Sequence, residues 1–320
     1  MSAIEIVVLP RRSMTWEEFC AKTPPRSIAL DGMVRGGPNW CEDSLHVNFD
    51  HHEGVVREAT MSSAKQVYFA IKSGLMRRFD DRARVFVNDP DQDTSFAIWL
   101  LMHHHEFSGV QSHPAISRLL ELNDRWDITG GAFPMSLDQQ RIRQHCWIFA
   151  PYTDLRKSGE LATAGEAVMR NTLTAVFARL TAYMFGQAEE KELDTRYEIL
   201  HNSSKYGYHI VDEIGGNEAR YHLFAQGVLD GGYVSLVAKR PDGRRVYTIG
   251  RASRYVDFPV RELYDVLNKA EGLVSPHGWN GSDLIGGSDR EQGSGLDWPS
   301  VRDAIEPYLE ARQSRRHRQD

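Results

Sequence analysis

Three consecutive residues, Asp50-His51-His52, carry the side chains of this chain that are best suited to chemistry. They close a short apolar run that begins at Leu45. Carboxylate and imidazole groups both coordinate borderline divalent metals such as manganese. A buried strand ending at this point would fix the direction of the three side chains. The triplet therefore predicts a divalent-metal site.

A second acidic cluster, Asp89-Pro90-Asp91-Gln92-Asp93, follows another strand-like run at residues 85–87. Its aspartates occupy alternate positions, which an extended backbone directs to the same side. The helix expected after Asp93 would point its amino terminus at the same place, where an anionic ligand is favoured. The alternative is that these aspartates only cap a helix and mark a turn. Together with the triplet, the cluster favours metal binding.

Two divalent ions held about 3.5–4 Å apart bind a phosphate oxygen and lower the pKa of a bound water. Because the ions repel each other, such a site needs anionic ligands, above all a bridging aspartate. The expected metal ligands are the aspartates and the first histidine of these clusters, together with one aspartate upstream and one downstream of them: Asp31, Asp50, His51, Asp89, Asp91, Asp93 and Asp124. The expected catalytic residues are Asp50, His51 and His52. His52 would contact the substrate phosphate or protonate the leaving oxygen.

The elements that must position these residues alternate between strands and helices. Strands are expected at residues 4–9, 27–30, 45–49 and 85–87, and helices at 60–79, 94–105, 116–122 and 166–185. This alternation predicts an α/β fold with a mostly parallel sheet flanked by helices. Ligands bind beyond the carboxyl ends of such strands. Asp31, Asp50 and Asp89 all fall at those expected ends, which predicts one shared site.

Other polar groups leave alternatives open. Adjacent histidines on a helix point in different directions, so His103-His104-His105 is expected on a solvated face. Asp124 and Asp127 are one helical turn apart, and either a further metal ligand or an acidic turn near Gly130 would explain them.

The carboxyl-terminal part differs in character. Strand-like runs at 233–239 and 245–251 flank Pro241-Asp242-Gly243, which predicts a hairpin, and a helix is expected at 260–270. A glycine-rich stretch at 278–295 follows. Glycines let backbone N–H groups approach an anion, and Arg251 or Arg290 would bind phosphate. A flexible surface loop is the alternative.

Composition limits the classes of protein. A chain of 320 residues is expected to hold two domains. A net charge of −6 argues against a general binder of long nucleic acid. The three cysteines form no Cys-x-x-Cys pair, and no apolar run reaches the length of a membrane helix. These features favour a cytoplasmic protein without membrane contact.

The chain resembles the DHH phosphoesterase superfamily. The resemblance rests on Asp50-His51-His52 after a strand, on the segment 61–68 (MSSAKQVY), and on the Asp-x-Asp pair at Asp89 and Asp91. In that family the Asp-x-Asp motif precedes the triplet, whereas here it follows. The resemblance then implies either a permuted sheet or Asp89 in place of the family's late aspartate.

The resemblance also implies a fold and a function. It implies a metal-binding domain at 1–158, a helical connector at 159–200, and a smaller α/β substrate domain at 201–320. It implies Mn²⁺ or Mg²⁺, in two ions, and hydrolysis of a phosphoester or phosphoanhydride at the interdomain cleft. The substrate would be a small phosphorylated molecule or a short oligonucleotide, and the protein is a possible homodimer. The expected substrate-binding residues are Arg251, Ser253, Gly286, Gly287, Ser288 and Arg290.

Two alternatives remain open from sequence. One is a catalytically silent sensor that binds a metal or nucleotide on the same fold. The other is an unrelated metalloenzyme with a single zinc ion and a non-phosphate substrate such as an amide, although zinc sites prefer more His and Cys ligands than this chain offers.

Overall fold

The computed structural model describes residues 3–273, 278–289 and 291–316. The chain divides into two compact units. The first contains residues 1–128, 138–152 and 164–192, and the second contains 129–137, 153–163 and 193–320. The sequence predicts one boundary on each side of a connector at 159–200, whereas the chain passes between the units several times. Ala132, for example, packs in an apolar cluster with Leu223 and Tyr233 of the second unit.

The first unit contains a five-stranded sheet and most of the helices. Its strands are β1 (Ala3–Val8), β2 (Ser27–Leu30), β3 (Asn39–Cys41), β4 (His46–Phe49) and β5 (Arg82–Val87). Its helices are α1 (Trp16–Lys22), α2 (Ser63–Lys72), α3 (Leu75–Arg78), α4 (Gln92–Met102), α5 (His104–Phe107), α6 (Pro114–Ile128), α7 (Gln140–Lys157), which begins in this unit, and α8 (Glu166–Met184).

The strand order in this sheet is β1-β5-β2-β4-β3. The first four strands in that order pair in parallel, and only β3 is antiparallel to its neighbour β4. The expected mostly parallel sheet is thus confirmed. Parallel strands bury both faces, and β2 and β4 are buried along their whole length. Ile28 and Leu30 enter the larger core, while Ala29 packs with Phe19 of α1 in a smaller cluster.

Local sequence explains where the helices begin and end. The side chain of Ser62 accepts a hydrogen bond from the Lys65 N–H and caps α2. The single helix expected at 60–79 is interrupted, because Gly74 adopts a left-handed backbone (φ 97°) between α2 and α3. Asp91 caps α4 by accepting a hydrogen bond from the Thr94 N–H. Helix α6 continues to Ile128, so Asp124 and Asp127 lie on a helix and the alternative of an acidic turn is wrong.

Helix α8 confirms the amphipathic helix expected at 166–185. Its apolar face, including Met169, Leu173 and Val176, is buried in the core of the first unit. Residues assigned to a connector therefore contribute to that core. Helices α1 and α7 were not expected, because their polar residues interrupt a simple apolar periodicity.

The second unit is built on a six-stranded mixed sheet of order β10-β11-β9-β8-β7-β6. Its elements are β6 (Glu198–Ser203), β7 (Tyr208–Asp212), α9 (Asn217–Ala225), β8 (Gly232–Lys239), β9 (Arg245–Arg251), α10 (Val260–Glu271), β10 (Asn280–Gly281), β11 (Ile285–Gly287) and α11 (Trp298–Arg316). The hairpin expected around Pro241-Asp242-Gly243 is confirmed, since β8 and β9 pair antiparallel across it. The helix expected at 260–270 is confirmed as α10. Asn202 and Ser203 end β6, and Ser204 begins the turn to β7.

Within the described ranges, none of the helices is both long and apolar enough to cross a lipid bilayer.

Candidate metal centre

The candidate centre lies at the carboxyl ends of three adjacent parallel strands. Asp31 follows β2, Asp50 follows β4, and Asp89 follows β5 after one intervening residue. Because β5, β2 and β4 are neighbours in that order, these ends lie side by side. Asp31 adopts a left-handed backbone (φ 51°), which turns the chain sharply as it leaves the strand. The expected arrangement of acidic residues along one sheet edge is therefore present in the first unit.

Two overlapping groups of side chains bring potential ligand atoms within 4.8 Å of one another. The first group is Asp31, His51 and His52, and the second is His51, Asp93 and Asp127. His51 belongs to both groups. Four of these five residues are expected site residues, and Asp127 was left open by the sequence.

His51 is fully buried between two carboxylates. Its Nε2 lies 2.8 Å from Asp127 Oδ2 and 3.4 Å from Asp31 Oδ1. Within the described part of the chain, neither Nε2 nor Asp127 Oδ2 has a hydrogen-bond partner, although the two atoms lie 2.8 Å apart. The pair is therefore close together without a hydrogen bond between its members.

The spacing of these atoms fits a shared divalent ion. Two ligands at right angles on an ion with bonds of about 2.1 Å lie about 3.0 Å apart. The observed separations of 2.8 and 3.4 Å lie on either side of that value. A buried nitrogen and a buried carboxylate oxygen without hydrogen bonds call for a partner, and an ion supplies one. One imidazole with several carboxylates suits manganese, and the carboxylates also suit magnesium.

The electrostatics of the cluster indicate a shortage of positive charge. Burial raises the pKa of the Asp91 carboxyl, and the negative charges of Asp31, Asp89 and Asp127 raise it further. Burial is also the main reason that the pKa of Asp93 is raised, with Asp127 and Asp31 adding to it. Without a cation, the cluster therefore takes up protons.

The two histidines lower the pKa of Asp31, and the carboxylates in turn stabilise a proton on His51. Burial raises the pKa of Asp31, but His52 and His51 lower it, so that the net shift is downward. Burial lowers the pKa of His51, but the charge of Asp127 outweighs burial and raises it to about 10. In the metal-free protein His51 thus carries the proton that offsets part of the negative charge.

Asp50 orients His52. Its Oδ1 accepts a hydrogen bond from the His52 backbone N–H at 2.6 Å and lies 3.2 Å from His52 Nδ1. Its Oδ2 accepts one from the Gly32 N–H at 2.5 Å. Asp50 is expected from sequence to bind metal, but it belongs to neither of the two groups above. The side chain of His52 is 37% exposed, so the ring is both held and accessible.

Asp93 is held from two sides in a buried position. Its carboxylate accepts hydrogen bonds from the Ala64 N–H at 3.2 Å and from Asn123 Nδ2 at 3.0 Å. Asn123 Oδ1 in turn lies 3.1 Å from Nε2 of His145. Since α4 presents Asp93 in its first turn, the cap at Asp91 and the contact with α2 fix its position. Burial lowers the pKa of His145 to about 3, so this histidine is neutral.

Asp124 lies one turn before Asp127 on α6 and is used differently. Its Oδ1 accepts a hydrogen bond from the Ser62 N–H at 2.8 Å, and its Oδ2 lies 3.0 Å from Lys65 Nζ. These contacts fix the start of α2. The backbone carbonyl of Asp127 accepts a hydrogen bond from Arg57, whose guanidinium lies 3.8 Å from Asp127 Oδ1. Asp127 rather than Asp124 therefore reaches His51.

Two hydroxyl groups complete the surroundings of Asp31. Ser63 Oγ donates a hydrogen bond to Asp31 Oδ1 at 2.9 Å, and Thr94 Oγ1 lies 3.4 Å from Oδ2. These residues come from the starts of α2 and α4. Helix amino termini carry partial positive charge, which favours the clustered carboxylates. Asp89 is buried next to this cluster, as its influence on Asp91 shows.

The expected phosphate-binding residues lie in the second unit. Arg251, at the end of β9, donates hydrogen bonds to the Val256 carbonyl and to Asp283 Oδ2, both at 3.1 Å. Ser253 Oγ accepts a hydrogen bond from the Tyr255 N–H at 3.3 Å. These contacts hold the turn after β9. Their role toward a substrate stays a prediction.

The glycines of the expected phosphate loop form strand β11. Gly286 and Gly287 pair with Ile249 and Thr248 of β9. A Cβ on Gly287 would approach the Tyr247 carbonyl oxygen to 2.3 Å, so strand packing requires glycine there. Ser288 is buried, and its Oγ accepts a hydrogen bond from the Tyr247 N–H at 3.0 Å. Arg290 lies outside the described residues.

The three consecutive histidines divide between environments. His105 is exposed, as expected, whereas His104 is buried. The chain turns at His103 between α4 and α5, and this break in the helix directs His104 inward.

Comparisons with protein-family models, with curated proteins and with solved structures find no match for this chain.

Proposed function

We propose that the protein uses Mn²⁺ or Mg²⁺ to hydrolyse a phosphoester or phosphoanhydride bond in a small nucleotide-like or pyrophosphate-like substrate. The observation that carries the proposal is the convergence of His51 Nε2, Asp31 Oδ1 and Asp127 Oδ2 beside the accessible ring of His52. The resemblance of the triplet to the DHH phosphoesterases supports phosphate as the reacting group. Cytoplasmic location is part of the same proposal.

Asp31, His51, Asp93 and Asp127 are the residues that would hold the ions, with Asp91 and Asp89 beside them. Bound divalent ions would polarise a phosphoryl oxygen and provide a hydroxide at neutral pH. Asp31 and Asp93 are buried, so solvent has little access to their carboxylates. The hydroxyls of Ser63 and Thr94 hold the Asp31 carboxylate in a fixed orientation toward His51.

His52 is the residue we assign to proton transfer. Asp50 lies 3.2 Å from Nδ1 and also binds the backbone N–H of the same residue, so the imidazole is fixed at two points. With Nδ1 directed at Asp50, Nε2 is the nitrogen left to face a substrate. There it would contact the phosphate or donate a proton to the leaving oxygen, which is the role general acids play in such reactions.

The test measures release of phosphate or nucleotide from pyrophosphate, phosphoadenosine phosphate, linear dinucleotides and cyclic dinucleotides, with Mn²⁺ present. We expect turnover of at least one of them. His52→Gln should lower kcat by about 10²–10⁴-fold while bound Mn²⁺, measured on the same samples, stays unchanged. Glu106→Gln, an exposed change on the same unit, is the control and should leave kcat unaltered.

Two outcomes would replace this proposal. Absence of product from every substrate, combined with a shift in thermal melting by one of them, would indicate a silent sensor. A single tightly held zinc ion that is lost in Asp31→Asn, with no response to Mn²⁺, would instead favour a metalloenzyme of another class.

A further inference from the structure

We propose that Asp81, His104 and His105 form a second metal site, for Zn²⁺, separate from the candidate metal centre. Asp81 immediately precedes β5, and the two histidines follow the carboxyl end of α4. The candidate centre lies at the opposite ends of β5 and α4, after the last residue of β5 (Val87) and before the first residue of α4 (Gln92). With a rise of about 1.5 Å per residue, α4 alone separates the two ends by roughly 16 Å.

The three side chains offer donor atoms that all lie within 4.8 Å of one another. Nδ1 of His104 is 3.9 Å from Oδ1 of Asp81, and the two imidazole rings have centroids 3.8 Å apart. The backbone imposes this arrangement. Asp81 adopts a left-handed conformation (φ 55°), with its N–H bonded to the Met76 carbonyl at 2.9 Å, and this turn carries its carboxylate toward α5.

His104 supplies an independent reason to expect a ligand. Its side chain is 1% exposed, and Nε2 has no hydrogen-bond partner among the residues that the structure describes. The distance of 3.9 Å from Nδ1 to Asp81 is too long for a hydrogen bond. A buried Nε2 without a partner is costly, and coordination of an ion through that nitrogen removes the cost. The position of the histidine thus suits a metal ligand better than a core residue.

The chemistry of the donors selects the metal. Two imidazoles and one carboxylate are typical zinc ligands, and water completes a fourth position where the site is open. His105 and Asp81 are exposed, so the ion would exchange with solvent. Magnesium prefers a shell of oxygen atoms and is not expected here. A bound zinc ion would link the turn before β5 to the start of α5.

The experiment measures bound zinc per chain in the full-length protein. The protein is first stripped with chelator, then dialysed against Zn²⁺ with Mg²⁺ in excess, and its metal content is determined. His105→Ala and Asp81→Asn change exposed side chains, so the fold should be retained, and circular dichroism checks this. Glu106→Gln is the matched control, because Glu106 is exposed on the same short helix and belongs to neither this group nor the candidate centre.

We expect His105→Ala and Asp81→Asn each to lose one equivalent of zinc relative to the wild type, and Glu106→Gln to lose none. Asp31→Asn should also keep this equivalent, since it changes only the candidate centre. Wild-type zinc content in both His105→Ala and Asp81→Asn would overturn the proposal, whatever the hydrolase assay shows. An equal loss in Glu106→Gln would overturn it as well.

Discussion

The substitution Asp93→Asn separates metal binding from folding. In the metal-free protein, burial and the charges of Asp127 and Asp31 raise the pKa of Asp93. Above the ordinary pKa of an aspartate, the unfolded chain releases this proton while the folded chain keeps it. The stability of the folded chain therefore falls as the pH rises from that ordinary pKa to the raised pKa of Asp93. Asparagine resembles the protonated acid and keeps an acceptor for the Ala64 N–H. The metal-free variant should consequently melt at the wild-type temperature or higher.

The same substitution should remove most of the stabilisation by manganese, because asparagine brings no negative charge to the ion. A ligand at 100 times its dissociation constant stabilises the native state by about 2.7 kcal/mol. For a folding unit of about 150–250 residues, the size class of the first unit, each kcal/mol raises Tm by about 2–4 °C. The wild type should then gain roughly 5–11 °C in saturating Mn²⁺.

Differential scanning calorimetry at pH 7.5, with chelator and with Mn²⁺, measures both quantities on each protein. Asp138→Asn, in an exposed stretch before α7, is a control for the loss of one negative charge and should keep the full shift. A full manganese shift in Asp93→Asn would refute the assignment of this residue to the centre. A large drop in its metal-free Tm would refute the electrostatic argument.

Two further predictions concern neighbouring residues. Asp127→Asn should reduce the Mn²⁺ shift in the same calorimetric assay. Asp124→Asn should keep that shift but lose about 1–3 kcal/mol of stability, because it weakens the contacts with Ser62 and Lys65. The reverse pattern would contradict the assignment of Asp127 to the metal centre. Burial lowers the pKa of His145 to about 3 in the folded chain. Below a pH of about 6.5 this histidine is protonated in the unfolded chain but not in the folded one, so stability falls as the pH drops. Urea unfolding should show about 2 kcal/mol less stability from this source at pH 5 than at neutral pH, and His145→Gln should lack that part. An unchanged pH dependence in the variant would show that His145 is not the cause.

Much of the first unit follows from its sequence because short apolar runs there end at chemically distinctive residues. The runs before Asp31, Asp50 and Asp89 are buried strands, and their parallel pairing brings their ends to one edge. The caps at Ser62 and Asp91 have clear local signals in their residue types. These features depend on neighbours in sequence, which is why they could be predicted.

The choice between Asp124 and Asp127 could not be made in this way. It depends on α6 continuing to Ile128 and on the side of the helix that meets α2. The polar residues 123–127 resemble a turn, but tertiary contacts of Asn123 and Asp124 keep them helical. The pairing of Asp50 with His52 could not be predicted either. All three residues of the triplet are common metal ligands, and the sequence does not indicate which of them orients another.

In the second unit, the role of the glycines likewise could not be predicted from local sequence. A run of glycines is compatible both with a phosphate loop and with a close strand pair, and β11 adopts the strand. Here the deciding factor is the approach of the Tyr247 carbonyl to Gly287, which is a long-range contact.

The most direct test of the metal centre is anomalous X-ray diffraction from crystals of the protein grown with Mn²⁺. We predict strong peaks, two in number, within bonding distance of Asp31, His51 and Asp127 at the edge of the parallel sheet. Crystals that bind manganese elsewhere, or that show His51 hydrogen-bonded to Asp127 with no ion beside them, would contradict it.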